Sequence, residues 1–247
     1  SETGITQIVG SDRYNTLVIG YSSSNIDLIK DGEIINMSAI LNSTLIGDKT
    51  INELYVRDQF VFVCTGFGIV VIDLIREEVK DTYFIGEYGA QVNVLSTSIA
   101  HNSIYAATNK GILRADFYES NLADYHSWEK LPDHSKSRVN LLETFNGLLF
   151  VNLYGEEYNT DTLFHFDGIN WVAFEQESSN VSIKVSSKHL VLTSRFGISV
   201  YDQNLNRTHY LYSGQFNIDN VDFNSAIFSD KDEFWIADKF NGLLHND

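Results

Sequence analysis

Three basic residues in an acidic chain are the side chains best suited to hold a ligand. Lys110, Arg195 and Lys239 each follow a short apolar run and precede a glycine by one to three residues. The formal net charge of the chain is −16, so a local group of cations would attract anions that the rest of the surface repels.

Aromatic residues accompany the basic turns. Phe196 and Phe240 directly follow Arg195 and Lys239, and Phe67 occupies a matching turn earlier in the chain. This combination predicts a site for an anionic glycan or a phosphate-bearing group. The alternative is that turns simply favour such polar residues while the phenylalanines pack inside the fold. The candidate ligand-binding residues are Lys110, Arg195, Lys239, Phe240 and Tyr154, which precedes the longest of these turns, residues 155–162.

Metal and thiol chemistry is not expected. The histidines lack the i, i+4 and His-x-His spacings of metal sites, and Cys64 is the only cysteine, so neither a disulfide nor a thiolate metal site can form. Cys64 lies among valines and is interpreted as a small buried hydrophobic residue. The seven histidines are His101, His126, His134, His165, His189, His209 and His245.

The acidic clusters do not match a calcium loop or a catalytic motif. A calcium loop needs alternating carboxylates, a glycine and a distal glutamate, and none of the clusters has them. Segment 155–162 carries three carboxylates that could serve as acid or base, but spacing alone does not pair them. There is no nucleophile elbow and no phosphate-binding glycine loop. We expect no enzyme activity and no cofactor. The clusters are Glu77–Glu78, Glu156–Glu157 with Asp161, and Asp230 with Asp232 and Glu233.

Composition restricts the class of protein further. The strong negative charge argues against nucleic-acid binding, which needs a basic surface. No apolar run approaches the ~20 residues of a membrane-spanning helix. The chain begins without methionine and without a signal-like segment, which suggests that it is a processed or excised piece.

A repeat of about 43 residues is the strongest pattern in the sequence. Apolar runs such as VFVCT and IYAAT recur, and each ends at a polar residue. A glycine turn and a second apolar run follow, as in GIVVID and GILRAD. The closing residues are Tyr21, Thr65, Thr108, Asn152, Ser194 and Asp238, which are 44, 43, 44, 42 and 44 residues apart.

Each repeat is predicted to contain four strands. An earlier strand precedes the polar hairpin turn, and a fourth, more exposed strand ends the unit, with Tyr83, Trp128, Trp171 or Tyr210 near its start. Four short antiparallel strands at a constant period, without helical patterns, are typical of a β-propeller blade. A β-sandwich would not show this regular spacing. In a propeller, equivalent turns gather around the central opening, which is where the basic turns would meet.

The predicted fold is thus an all-β propeller treated as one domain over residues 1–247. Five full blades and a partial sixth do not close a ring, so we expect a fragment of a larger, seven-bladed propeller. Its open edges would be available for pairing with another chain. The predicted blades span residues 5–50, 51–93, 94–138, 139–180, 181–224 and, in part, 225–247.

The amino-acid sequences of the repeats resemble those of a known family. GITQIVGSDRYNTLVIGYSSSNIDLIKDGEIINM, VFVCTGFGIVVIDLIREEVKDTYFIGEYG and IYAATNKGILRAD are similar to the early blades of PorZ-like propellers of the Bacteroidetes type IX secretion system. FWIADKFNGLL also resembles the periplasmic propellers of hybrid two-component sensors, which typically read WIGT-x-x-GL.

These resemblances imply two functions without catalysis. The first is a scaffold of a surface attachment complex, which binds protein partners and the anionic glycan of lipopolysaccharide. The second is a sensor propeller that binds an oligosaccharide. Both imply an exported protein, at the outer membrane surface or in the periplasm of a Gram-negative bacterium. A propeller enzyme acting on glycans is a third and weaker hypothesis.

Overall fold

The computed structural model describes residues 4–132, 137–157, 159–186, 188–216, 218–229 and 231–246. His134 and Asp230, named above, lie outside these residues. The chain divides into two compact units, Ser1–Val139 and Asn140–Asp247. The described residues form six small antiparallel sheets, the last with three strands, so the fold is an all-β propeller as predicted.

The first unit contains three blades, β1–β4, β5–β8 and β9–β12, and in each blade the strands are neighbours in chain order. The strands are β1 (Ile5–Ser11), β2 (Thr16–Tyr21), β3 (Ile26–Lys30), β4 (Glu33–Met37), β5 (Ile51–Arg57), β6 (Phe60–Thr65), β7 (Gly68–Asp73), β8 (Glu78–Tyr83), β9 (Val94–Ala100), β10 (Ser103–Thr108), β11 (Gly111–Asp116) and β12 (Glu129–Lys130).

The second unit repeats this arrangement with β13–β16, β17–β20 and the three-stranded β21–β23. Its strands are β13 (Val139–Phe145), β14 (Leu148–Leu153), β15 (Asp161–Phe166), β16 (Trp171–Ser178), β17 (Asn180–Ser186), β18 (His189–Ser194), β19 (Gly197–Tyr201), β20 (Arg207–Tyr212), β21 (Phe223–Phe228), β22 (Phe234–Asp238) and β23 (Gly242–Asn246). Short 3₁₀ turns cover Asp12–Tyr14, Glu87–Gly89, Tyr125–Ser127 and Ser213–Gln215.

The polar residue that ends the second strand closes the turn after it. Thr65 Oγ1 donates to the Gly68 carbonyl at 2.9 Å and accepts from the Phe67 N–H at 3.3 Å. A tight turn leaves backbone groups that the strand ladder cannot pair, and a hydroxyl at this position satisfies them locally. The polar residue of the repeat is therefore a structural element of the turn.

The same hydroxyl-to-carbonyl bond recurs in two other blades. In the last blade a carboxylate replaces the hydroxyl, and because it can only accept, it takes the N–H two residues on, as in an Asx turn. These bonds run from Thr108 Oγ1 to the Gly111 carbonyl at 2.8 Å, from Ser194 Oγ to the Gly197 carbonyl at 3.0 Å, and from the Phe240 N–H to Asp238 Oδ1 at 3.0 Å.

Glycine at the start of the third strand is required by space as well as by conformation. Gly68 has a φ of +151°, and a Cβ at this position would lie 2.2 Å from the Tyr83 carbonyl oxygen. No side chain fits so close to a backbone atom, because the neighbouring strand β8 is already paired with β7. Gly68 thus permits the close approach of β7 and β8.

Apolar residues of the central strands are buried on both faces of a blade. Val61 and Val63 of β6 pack with residues of β2 and β3, whereas Phe62 and Cys64 pack with residues of β9 and β10. This two-sided burial explains the continuous apolar run VFVC, which a one-sided strand would not need. Cys64 is fully buried, as predicted.

Adjacent blades of the second unit pack in the same way. Val191 of β18 and Ile198 of β19 are fully buried in a cluster with Ala226 of β21 and Ile236 of β22. The opposite face of β18 joins a second cluster with residues of β14, β15 and β17. This packing fixes the turns that follow β18 and β22 relative to each other.

Five of the six second strands end at the predicted residue, and β14 runs one residue further, to Leu153. Strand β17 begins at Asn180 and β21 at Phe223, one and two residues before the predicted blade limits. The aromatic residue predicted near the start of the fourth strand was wrong for Tyr83, which ends β8, and for Tyr210, which lies inside β20. Antiparallel pairing brings the end of β8 opposite the start of β7, so Tyr83 pairs with Ile69.

No helix among the described residues is long and apolar enough to cross a membrane.

Replacing Thr65 with valine should destabilise the fold by about 1–3 kcal/mol, because a buried carbonyl and a buried N–H would each lose a partner. Thr65→Ser keeps the hydroxyl and should cost clearly less. The check is the midpoint of urea unfolding of the two variants and the parent. Equal midpoints for the valine and serine variants would show that the hydroxyl does not hold the turn.

Candidate functional site

Two neighbouring clefts in the second unit contain candidate ligand-binding residues. The first cleft has a volume of about 310 Å³ and lies along β18, β19 and β20, beside Glu175 of β16. The second has a volume of about 390 Å³ and lies at the turn after β14. Both volumes are in the range of small-molecule sites, roughly 300–1,000 Å³.

Arg195 lines both clefts and also joins two blades. It lies in the turn between β18 and β19, and its Nε and one Nη donate to Asp222 Oδ1 and Oδ2 at 3.1 and 2.6 Å. Asp222 lies just before β21, and its side chain is 10% exposed, whereas that of Arg195 is 46% exposed. The guanidinium is therefore held by a two-point bond to a nearly buried carboxylate.

The electrostatics of this pair favour the ionised acid. The hydrogen bond from Arg195 lowers the pKa of Asp222, burial opposes this, and the charges of Arg195 and Lys239 lower the pKa further. Asp238 accepts the Asp222 N–H at 2.7 Å. Burial alone would raise the pKa of Asp238, but the N–H groups of Asn241, Asp222 and Phe240 together lower it.

Lys239 and Phe240 lie in the turn between β22 and β23, next to Asp222. The Lys239 Nζ is 4.0 Å from Asp222 Oδ2 and 5.5 Å from the centroid of the Phe240 ring. Phe240 is 64% exposed. Both residues lie outside the described linings of the two clefts. Lys239 is therefore linked to the clefts only by its proximity to Asp222. Of the three basic turn residues predicted from the sequence, Arg195 is the one that lines the clefts.

The first cleft combines aromatic faces with charged groups. Phe196 and Tyr210 are 41% and 51% exposed. The Arg195 guanidinium carbon lies 5.7 Å from the Phe196 ring centroid, and that of Arg207 lies 5.1 Å from the Tyr210 ring centroid. Such pairs present a flat apolar surface beside hydrogen-bond donors.

Glu175 is the carboxylate of this cleft. The hydroxyl of the buried Tyr201 donates to its Oε1. Burial raises the pKa of Glu175, and the positive charge of Arg207 only partly offsets this. Among the described residues that line the first cleft, Glu175 is the only acid.

The second cleft is acidic and rests on a buried polar network. Tyr154, which is 40% exposed, lines it together with Glu156 and Glu157. Asp161 is buried and accepts the N–H groups of Gly155 and Asn180 at 2.9 and 3.0 Å. These bonds fix the start of the loop after β14 against the start of β17.

The first half of the chain matches the model of a known protein family. The family model of the PorZ N-terminal β-propeller domain, a component of the type IX secretion system, matches residues 1–129. The chain belongs to this family. The matched residues lie within the first unit, so the match makes no statement about the two clefts.

Solved structures agree with this PorZ-type propeller fold. PorZ of Porphyromonas gingivalis, described as an essential bacterial surface component of the type IX secretion system, superposes with a TM-score of 0.77 at 19% identity over 99% of this chain. The chain spans only 31% of that PorZ chain.

Two further structures share the fold. The extracellular domain of a putative hybrid two-component system from B. thetaiotaomicron has a TM-score of 0.71 at 15% identity, over 100% of this chain and 35% of that one. A computationally designed protein, Ika8, has a TM-score of 0.62 at 14% identity, over 98% and 70%. At these identities the likeness concerns the fold alone. No curated protein sequence matches the chain significantly.

Two turn residues of this PorZ-type domain lie in its first unit. Lys110 is exposed in the turn between β10 and β11, where its N–H donates to Thr108 Oγ1 at 3.0 Å. Phe67 is 2% exposed and packs near Phe84, with 6.1 Å between ring centroids. The alternative that the turn phenylalanines pack inside the fold is therefore correct for Phe67. It is wrong for Phe196 and Phe240, which are exposed.

Several residues of the clefts were not among the predicted site residues. Arg207, Tyr210 and Glu175 lie in fourth strands, which have the least regular spacing, and Asp222 lies in a connection between blades. A search for acids just before the first strand of each blade would have found Asp222. No group of three or more His, Cys, Asp or Glu side chains suited to a metal occurs in the part of the chain that the structure describes.

Replacing Asp222 with asparagine should lower stability at neutral pH by about 1–2 kcal/mol, because the charge-assisted bond to Arg195 is weakened. Since the folded pKa of Asp222 lies below the unfolded value of about 3.9, its contribution is complete above that pH and is lost as the pH falls through the folded pKa. The difference in urea midpoint between variant and parent should therefore shrink from about pH 7 to pH 3.

The matched control is Asp219→Asn, which removes an equal charge at an exposed position nearby. A variant of Asp222 whose deficit persists unchanged at low pH would contradict the assignment of the ion pair.

Proposed function

We propose that this chain is part of a non-enzymatic binding component of a type IX secretion system, and that its two clefts bind an oligosaccharide. The observation that carries the secretion role is the match to the PorZ family over residues 1–129. By analogy with the surface component PorZ, the proposal includes export to the cell surface or periplasm and binding to protein partners of the assembly.

The clefts support a saccharide as the ligand. Phe196 and Tyr210 offer exposed ring faces, on which the apolar face of a sugar can stack. Arg195 and Arg207 offer guanidinium groups, which suit carboxylate and phosphate substituents. The anionic glycan of lipopolysaccharide has both features, so it is the ligand class we assign to the first cleft.

The arrangement of carboxylates supports binding without turnover. Glycoside hydrolases generally use two carboxyl groups on either side of the scissile bond. In the first cleft Glu175 is the only acid among the described lining residues, and Tyr201 already donates to it. Glu156 and Glu157 line the second cleft, away from the exposed aromatic faces of Phe196 and Tyr210.

A sensor propeller is the second candidate function. The likeness to the extracellular domain of a hybrid two-component system extends over the whole chain. In that case the same clefts would bind an oligosaccharide signal, and the full-length gene would encode a membrane span and a kinase. The two functions share the ligand class and differ in the consequence of binding.

Phe196→Ala should weaken binding of delipidated O-polysaccharide from the source bacterium by roughly three- to tenfold, since one aromatic contact contributes ~0.5–1.5 kcal/mol. Isothermal titration calorimetry would measure this. Phe240→Ala is the matched control, because Phe240 follows a basic residue in the equivalent turn and lies outside both cleft linings. Loss of binding in the control alone would move the ligand to the turn between β22 and β23.

Deleting the gene in the source bacterium should reduce the amount of type IX cargo attached to the cell surface, as measured by quantitative surface proteomics. Complementation with the full-length gene should restore attachment. Normal attachment, combined with loss of transcriptional response to an oligosaccharide, would reject the secretion role in favour of the sensor.

A further inference from the structure

The two clefts are contiguous, which bears on the length of the ligand. Ser179, Asn180 and Arg195 line both of them. A ligand that fills both clefts must pass over these shared residues, so it must be longer than a ligand that occupies one cleft alone. This step rests on the proposed function, in which the clefts hold a saccharide.

The two clefts differ in charge. The first contains two guanidinium groups, Arg195 and Arg207, and one carboxyl group, Glu175, whose pKa is raised by burial. The second contains the exposed carboxylates Glu156 and Glu157. Neither of these has a basic side chain within ion-pair distance among the described residues, and Arg195 is already paired with Asp222. The second cleft therefore presents the negative charge of two exposed carboxylates, and the basic residue in its lining is this paired Arg195.

The shared floor also contains a buried polar atom that lacks a partner. Asn180 is 4% exposed, and its side-chain nitrogen donates to Asn152 Oδ1 at 2.7 Å. Its Oδ1 accepts no hydrogen bond from the residues that the structure describes. Buried carbonyl oxygens normally have a donor, and a hydroxyl or amide of a ligand that crosses the floor can supply one after a small movement of the amide.

We infer that the clefts recognise a zwitterionic oligosaccharide, with an acidic sugar beside Arg207 in the first cleft and an amino sugar with a free ammonium group beside Glu156 and Glu157 in the second. The ammonium group has three donors and suits a cleft lined by two exposed carboxylates. An N-acetylated sugar, which has no charge there, would leave both carboxylates unpaired. The structure thus assigns a charge pattern to the ligand as well as a class.

The test uses one glycan in two chemical forms. The first probe is an oligosaccharide of alternating glucuronate and N-acetylglucosamine, and the second is the same oligosaccharide after N-deacetylation, which creates ammonium groups. The parent chain should bind the deacetylated form about five- to tenfold more tightly, as expected for two exposed ion pairs. Glu156→Gln combined with Glu157→Gln should abolish this preference, so that the variant binds the two forms equally.

The control is Glu87→Gln combined with Glu119→Gln, which makes the same change in net charge at exposed positions of the first unit. It should keep the preference. Equal binding of both probes by the parent, or a preference that survives in the Glu156 and Glu157 variant, would overturn the inference and leave the glycan-binding function standing. Absence of binding to both probes and to the O-polysaccharide would overturn both.

Discussion

The bond between the polar residue that ends a second strand and the turn after it is the interaction on which the blades of Thr65, Thr108, Ser194 and Asp238 depend. Thr65 and Thr108 donate to the carbonyl three residues on and accept the N–H two residues on. A hydroxyl that satisfies the turn backbone makes these bonds independent of the side chains inside the turn. Those positions contain Lys110, Arg195, Lys239 and Phe240. The position of Gly66 is restricted by its surroundings, because a Cβ there would lie 2.5 Å from the Asp48 carbonyl oxygen.

What a turn position becomes depends on what the neighbouring chain places over it. Phe67 and Phe196 follow the same type of strand end, yet Phe67 is 2% exposed and Phe196 is 41% exposed. Phe84 packs against Phe67, whereas the chain leaves a cleft beside Phe196. The turn is thus of the same type in both units, and the connections between strands decide whether the side chain enters the core or lines a cleft.

The strand order and the strand ends were predictable because both follow from the repeat. A polar residue, a glycine three or four positions on and apolar runs on both sides specify a hairpin, and β6, β10, β18 and β22 end accordingly. The clefts were predictable only in part. Arg195 and Tyr154 follow strand ends, so the repeat located them. Asp222 and Arg207 lie in the irregular parts of their blades, and their roles depend on contacts between elements far apart in sequence.

Arg195 shows that the role of a basic turn residue cannot be predicted from its position in the repeat alone. Its two-point bond to Asp222 joins the turn after β18 to the start of β21, so the residue supports blade packing as well as the site. A ligand that drew the guanidinium away would leave the nearly buried Asp222 without its partner, and an unpaired buried charge is strongly unfavourable. The ligand must therefore bind alongside the ion pair, through the exposed part of Arg195. Such a site is preformed, which lowers the ordering cost of binding.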